Sequence, residues 1–194
     1  MGQEKALLPW PPAQAKTVHY GLTFLSAAIR ALSAYSDLVI VVVGENEPNL
    51  VPVVYASGAT LVRNPAPDRG QFSSLQVGLQ EVLNRGRDTA IITLVDRPPA
   101  RPDTLSALRA AFASAPSEIW AVVPEYAGAH GHPFIAGREL LEQFLRAPAT
   151  STARDVEHRQ QQHIQYIAVD DPSVTLNVDT PEDYAALLGQ KITH

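Results

Sequence analysis

Two acidic turns are the first candidates for chemistry. In residues 94–100, LVDRPPA, an apolar run ends in Asp96 and two prolines forbid its continuation, which sets a carboxylate at a strand end on a rigid turn. In residues 176–184, LNVDTPEDY, Asp179 stands just before Thr180 and Pro181, which open a helix with Asp183 in its first turn. Taken alone, each is equally an ordinary turn or helix cap. Brought to one edge of one sheet, the pair supplies two oxygen ligands, and magnesium is usually held by one or two carboxylates together with substrate phosphates. As a pair they are candidate ligands for Mg2+, which neither turn is alone.

Two further stretches could hold a substrate. Residues 63–79, RNPAPDRGQFSSLQVGL, begin with Pro, Asp, Arg and Gly and pass into a helix, with Ser73 and Ser74 at the expected cap. Such a loop offers free backbone N–H groups to an anion or a nucleobase edge, and it reads equally as a surface loop with a serine cap. In residues 127–134, AGAHGHPF, His130 and His132 are two apart, a spacing that does not aim both rings at one ion, and no thiol or third histidine supports a metal site. His132 is read as a positioning or substrate-contacting residue and His130 as packing. His19, His158, His163 and His194 have no partner pattern and are read as surface or packing residues.

The rest of the sequence narrows the classes. There are no cysteines, so thiolate metal sites and cysteine nucleophiles are excluded. The net charge of -5 and the scattering of basic residues in isolated pairs argue against a nucleic-acid surface. No Gly-x-Gly-x-x-Gly follows a predicted strand, and neither a Walker lysine loop nor a Gly-x-Ser-x-Gly elbow is present. The most apolar stretch, residues 38–43, is too short to span a bilayer; the start has no signal-peptide pattern, and Ala6 stands where a myristoylation signal needs Ser or Thr. No membrane partner is expected, and a cytoplasmic location is.

The elements that must position these residues alternate. Val18, Leu22, Leu25, Ile29 and Leu32 predict a helix over residues 17–35, capped by Thr17. The β-branched run LVIVVVG predicts a strand buried on both faces. A helix over 50–56, strand 59–63, helix 74–84, strand 89–95, helix 102–113 and strand 119–123 follow. Helices over 138–146 and 152–159, a strand at 164–169 and a helix over 181–188 complete the order. The alternation predicts a single α/β domain of 194 residues, doubly wound, with a mostly parallel sheet and helices on both faces. In such sheets ligands bind beyond the carboxyl ends of the strands, where both acidic turns fall.

Taken in order, KALLPW, LVIVVVG, RNPAPDRGQFSSLQVGL, LVDRPPA, GHPF and NVDTPEDY make the chain resemble the MobA-like nucleotidyltransferases along nearly its whole length. Within them it is most similar to the molybdenum cofactor cytidylyltransferase branch. The resemblance implies a Rossmann-like fold of the nucleotide-diphospho-sugar-transferase kind. It also implies transfer of a nucleoside monophosphate, CMP from CTP, to a phosphorylated molybdopterin-type acceptor, with pyrophosphate released. In that scheme Asp96 and Asp179 are the magnesium carboxylates and Lys5 meets the triphosphate. The loop carrying Asn64, Gly70, Ser73, Ser74 and Leu75 reads the base, and His132 with Pro133 lies on the acceptor side.

The departures from the family pattern carry expectations of their own. Family members begin with an apolar strand and a glycine-rich phosphate turn, and this sequence starts at the Met-Gly of that turn, so the first strand and most of the phosphate cradle are expected to be missing. PATSTARD, residues 148–155, replaces a Gly-Asp-x-Gly-Ala-Arg turn found in some members, and Arg97 follows Asp96; acceptor and base therefore stay open at this point. The alternative reading is a nucleotide-binding accessory or regulatory protein without turnover.

Overall fold

Runs of β-branched residues become strands and three-four apolar patterns become helices in the computed structural model, which describes residues 4–10 and 22–187. In chain order the elements are β1 (Pro9–Trp10), β2 (Leu22–Thr23), α1 (Phe24–Ser33), β3 (Ile40–Val43), α2 (Glu47–Ala56), β4 (Thr60–Arg63), α3 (Gln71–Asn84) and β5 (Thr89–Ile92). Then come α4 (Pro102–Ser114), β6 (Ala121–Tyr126), β7 (Ala129–His130), β8 (Phe134–Gly137), α5 (Arg138–Arg146), α6 (Ala153–Arg159), β9 (Ile164–Ala168) and α7 (Pro181–Ala186). Short 3-10 turns lie between them, one at Lys5–Leu7. No described helix is long and apolar enough to cross a membrane.

The strands run mostly one way. β3 pairs with β4 in parallel, and β6 pairs with β9 in parallel. β5 joins the larger group through β8, which is antiparallel to both β5 and β6, so β5, β6 and β9 share a direction. β7 folds back antiparallel on the end of β6. Helices cover both faces. On one, α5 and α6 bring Leu140, Leu141, Phe144 and Val156 against Ala121, Val123 and Phe134, with Phe72 and Leu79 of α3 completing the layer. On the other, Leu108 of α4 meets Val122 and Ile135. Each such buried side chain contributes about 1.5–3 kcal/mol relative to leaving it in water.

Three expectations change. The first helix starts at Phe24, because Leu22 and Thr23 pair with Trp10 and Pro9 as a strand. Thr23 is the cap: its Oγ1 accepts from the Ser26 N–H at 3.1 Å, and Ser26 Oγ accepts from the Thr23 N–H at 2.7 Å. The expected cap, Thr17, lies outside the described residues. Secondly, α3 starts three residues before Ser74, at Gln71, with Gly70 as its N-cap at φ 84°, a conformation glycine adopts without cost. Ser73 is then inside the first turn, where its Oγ donates to the Gly70 carbonyl at 2.7 Å. Thirdly, residues 129–137 carry two strands, β7, which folds back on β6, and β8, which lies between β5 and β6; no periodicity announced them because Gly131 and Pro133 interrupt it.

Candidate functional site

The turn after β5 and the segment before α7 are joined backbone to backbone. The Asp96 carbonyl accepts from the Val178 N–H at 2.9 Å, which places Asp179 one residue from the Asp96 turn. The two acidic motifs, 83 positions apart in sequence, therefore converge at the sheet's carboxyl edge. Thr180 caps α7: its Oγ1 accepts from the Asp183 N–H at 3.1 Å, while Asp183 Oδ2 accepts from the N–H groups of Thr180 at 2.8 Å and Asp179 at 3.0 Å. Those bonds hold the Asp183 carboxyl below the usual carboxylate range and fix the turn. Asp183 is thereby committed to structure, and Asp179 projects free of the cap.

Lys5 completes this corner. Its Nζ donates to Asp179 Oδ1 at 2.8 Å, and Asn177 Nδ2 donates to Asp179 Oδ2 at 3.2 Å. The lysine hydrogen bond holds the Asp179 carboxyl below its ordinary range, so it is ionised at neutral pH. Lys5 is placed by its neighbours: Ala6 is buried against Leu25, Ile29 and Leu50, and Tyr184 Oη donates to the Pro9 carbonyl at 2.7 Å, tying α7 to β1. The ion pair is open to solvent at both ends. An incoming phosphate can reach either partner.

His132 approaches the same region from the link between β7 and β8. Gly131 allows this, since a Cβ there would lie 2.2 Å from the Val174 carbonyl oxygen, and the His132 N–H donates to that oxygen at 2.9 Å. The ring meets Phe134 edge-on at 5.4 Å between centroids. Burial, with the Arg97 charge nearby, pushes the imidazole down to about 4, so His132 is neutral at physiological pH.

A pH effect on stability follows. The unfolded imidazole takes up a proton near 6.5, whereas the folded one resists until about 4, so between those values protons favour the unfolded chain. The contribution is full above about 6.5 and is lost as pH falls towards 4, amounting to about 3 kcal/mol. Denaturant unfolding should show His132→Asn losing less stability than the unaltered protein over that window. Equal losses would contradict the neutral buried histidine.

Three buried side-chain atoms among the described residues have no hydrogen-bond partner: Asp96 Oδ1, Arg97 Nε and His132 Nδ1. Buried polar groups are almost always paired, so each demands an explanation. All three belong to two motifs at this edge. An acceptor, a donor and a neutral ring nitrogen left open together are what a site for a charged, polar ligand supplies.

The predicted base-reading loop is ordered by Asn64, which is buried at the end of β4. Its Nδ2 donates to Ser73 Oγ at 2.8 Å and Ser74 Oγ at 3.0 Å, and its Oδ1 accepts from the Ala66 N–H at 2.9 Å. Asn64 and Ser73 thus hold the loop in shape from behind. Gly70, Ser74 and Leu75 line a large cavity that His132 and Arg97 also line, whereas Pro133 is buried beneath it. His130 packs flat on Tyr166 at 3.8 Å, as its reading required. Arg97 and Asn177 were not singled out from sequence as site residues; their signal was adjacency, one residue after Asp96 and two before Asp179. No cluster of three or more His, Cys, Asp or Glu side chains that could hold a metal occurs among the described residues, so an ion here would need oxygens from its substrate.

A mostly parallel α/β sheet with carboxylates at its carboxyl edge, a lysine beside them and a glycine-bearing loop at a helix start defines a nucleotide-handling domain. The chain belongs to the MobA-like NTP transferase domain family, whose model matches residues 1–164. It is a nucleotidyltransferase-type protein. Among solved structures it is similar to Rv0371c from Mycobacterium tuberculosis H37Rv, at 26% identity and a TM-score of 0.77 over 98% of this chain and 91% of that one. It is likewise similar to the Rv0371C complex with manganese from the same organism, at 25% identity and 0.73 over 95% and 90%. A nucleotidyl transferase from Methanothermobacter thermautotroptrophicus shares the fold, at 22% identity and 0.73 over 94% and 82%. No curated protein matches the chain.

Proposed function

We propose that this edge transfers CMP from CTP to the phosphate of a small molybdopterin-type acceptor, with release of pyrophosphate. The observation that carries the reading is the convergence of the Lys5–Asp179 pair with the unpartnered Asp96 Oδ1, Arg97 Nε and His132 Nδ1. The choice of cytosine and of a molybdopterin-type acceptor rests on the resemblance of the motif order.

The donor set suits a divalent ion of the magnesium kind. Asp96 Oδ1 is a buried acceptor without a donor, and Asp179 is an exposed ionised carboxylate one residue from Asp96's backbone partner. Two hard oxygens and the triphosphate are a typical magnesium set, and the relative solved with manganese binds an ion of the same charge. When bound there, the ion offsets charge on the triphosphate oxygens in the transition state.

The chain's own groups do the rest. Lys5 exchanges Asp179 for a phosphate oxygen, which frees the carboxylate and places positive charge against the departing pyrophosphate. An acceptor phosphate oxygen attacks the α-phosphorus in line, the bond to the bridging oxygen breaks, and pyrophosphate carries the electron pair away. Neutral His132 hydrogen-bonds the acceptor and Arg97 meets its negative charge. The Asn64-braced loop presents Gly70, Ser74 and Leu75 to the base.

Pyrophosphate release measured with each of the four nucleoside triphosphates, magnesium and a molybdopterin acceptor tests this. The highest kcat/KM is expected with CTP, and release should require the acceptor. A preference for another base would remove the cytidylyl assignment. Binding without release in every combination would favour the accessory reading.

A further inference from the structure

Asp171 is the one Asp or Glu among the described residues that is buried as a whole, at 1% exposure, and it belongs to neither acidic turn. It stands just past the carboxyl end of β9. Its Oδ1 accepts from the Ser173 N–H at 3.1 Å and the Ser173 hydroxyl at 2.5 Å, and lies 3.5 Å from Arg101 Nε. Its Oδ2 accepts from the Thr104 hydroxyl at 2.8 Å and the Arg101 N–H at 3.3 Å. One oxygen thus holds the 3-10 turn Pro172–Thr175, and the other holds the start of α4. Arg101 Nη1 donates to the Asp170 carbonyl at 3.0 Å, which joins the same two segments a second time.

Both segments lead into the candidate site. Back from α4 the chain runs through Ala100, Pro99 and Pro98 to Arg97 and Asp96, and two prolines with fixed φ carry the position of one end to the other. Forward from Asp171 it runs to Asp179, and three bonds along the way go to site residues. The Val174 carbonyl accepts from the His132 N–H at 2.9 Å, the Leu176 carbonyl accepts from Arg97 Nη1 at 3.2 Å, and the Val178 N–H donates to the Asp96 carbonyl at 2.9 Å. The segment that ends in Asp179 is therefore laced to His132, Arg97 and Asp96 in turn, with Asp171 at its root.

A buried carboxylate is a costly way to join two segments, because its desolvation offsets much of what its bonds return and apolar contacts of similar volume often hold a fold as well or better. What apolar contacts lack is direction. Donors converging on two carboxylate oxygens fix the distance and angle of each segment. Two carboxylates that share one small ion need such precision, since magnesium demands near-ideal octahedral geometry. Misplacing a reacting group by about 1 Å costs on the order of a hundredfold in rate.

We propose that Asp171 is the positioning residue of this site, which sets the Asp96 turn against the segment carrying Asp179 and anchors His132 between them. Buried as it is, it touches neither ion nor substrate and acts through these residues alone. The consequence for turnover rests on the metal and transfer reading given above, whereas the geometry that Asp171 fixes belongs to the metal-free chain.

Three variants test this. Asp171→Asn keeps the side chain's size but turns one acceptor oxygen into an NH2 group facing donors. Thr104→Val keeps the shape and deletes the hydroxyl bonded to Oδ2, and Thr104→Ser keeps that hydroxyl. In the metal-free protein the His132 and Val178 amides should exchange at least about tenfold faster in Asp171→Asn and Thr104→Val, while the β6 amides of Val122 and Val123 keep their rates. Mn2+ binding in the presence of CTP, followed by electron paramagnetic resonance, should weaken about tenfold, and at saturating metal kcat should fall about tenfold with the KM for the triphosphate little changed. Thr104→Ser should retain the behaviour of the unaltered protein in all three. If Asp171→Asn does not fold, Thr104→Val carries the test. A lower thermal midpoint with unchanged exchange at Val178 and unchanged Mn2+ affinity would overturn the proposal and leave Asp171 a structural residue. If the unaltered protein binds no Mn2+, the functional reading fails, while the exchange rates still decide whether Asp171 sets this corner.

Discussion

Asp96→Asn is expected to reduce metal-dependent nucleotidyl transfer by at least about a hundredfold, and Asp179→Asn to do the same, because each removes one of the two carboxylates proposed to hold the ion. Asparagine keeps the size of the side chain at both positions. The bond that organises the corner is the Asp96 main-chain carbonyl to Val178, which neither substitution touches. The helix after Asp179 is held by Thr180 and Asp183. Circular dichroism and the thermal midpoint should therefore change little in both variants while turnover collapses. Full activity in both would remove the carboxylates from the chemistry. Loss of activity together with unfolding would make Asp96 a structural residue.

Lys5→Met is the second large effect. It keeps the aliphatic stem and deletes the charge that Asp179 now holds. The KM for the triphosphate should rise about tenfold to a hundredfold, with kcat falling as well, because a charge placed against the leaving pyrophosphate acts in the transition state as well as in binding. Stability should scarcely move, since the pair is solvent-exposed and such pairs contribute little. The Asp179 carboxyl, held low chiefly by this lysine, should titrate at a higher pH in the variant. An NMR titration showing an unchanged Asp179 would contradict the pairing, and an unchanged KM would leave Lys5 without a role in triphosphate binding.

These two residues also show what sequence can reveal. Asp96 and Asp179 were legible because a strand end followed by proline, and a Thr-Pro helix start, each place a carboxylate with local chemistry alone. Their meeting was legible only as a consequence of a parallel sheet, which the alternation of β-branched runs with three-four periodicities predicted. Lys5 could not be read locally: nothing in GQEKALL says that it reaches a residue 174 positions away, and only the motif order brought it forward. His132 was singled out beside a glycine and a proline, but its neutrality depends on burial and on Arg97, tertiary facts without a local trace. Strands β7 and β8 escaped because Gly131 and Pro133 broke the strand pattern where tertiary contacts with Val174 and Pro124 override it. Ser73 and Ser74 were misplaced as caps because Gly70, in the left-handed region, starts the helix first.

Among the described residues, the two halves of the candidate site stand on separately paired groups of strands. Groups proposed to read the base hang from β4, whereas Asp96 and His132 belong to the group of strands built on β5, β8 and β6. The two groups are tied at one end by Asp37–Arg87 and at the other through Glu4 and Lys5. Lys5, the residue proposed to meet the triphosphate, is therefore also part of the strap between the halves.

The measurement that bears most directly on the site is the location of manganese by anomalous diffraction in crystals grown with Mn2+ and a non-hydrolysable CTP analogue. A peak bridging Asp96 Oδ1, Asp179 and the phosphate oxygens, with Lys5 Nζ moved from Asp179 onto the triphosphate, is the predicted result. A nucleotide bound with Lys5 still on Asp179 and the ion elsewhere would contradict it.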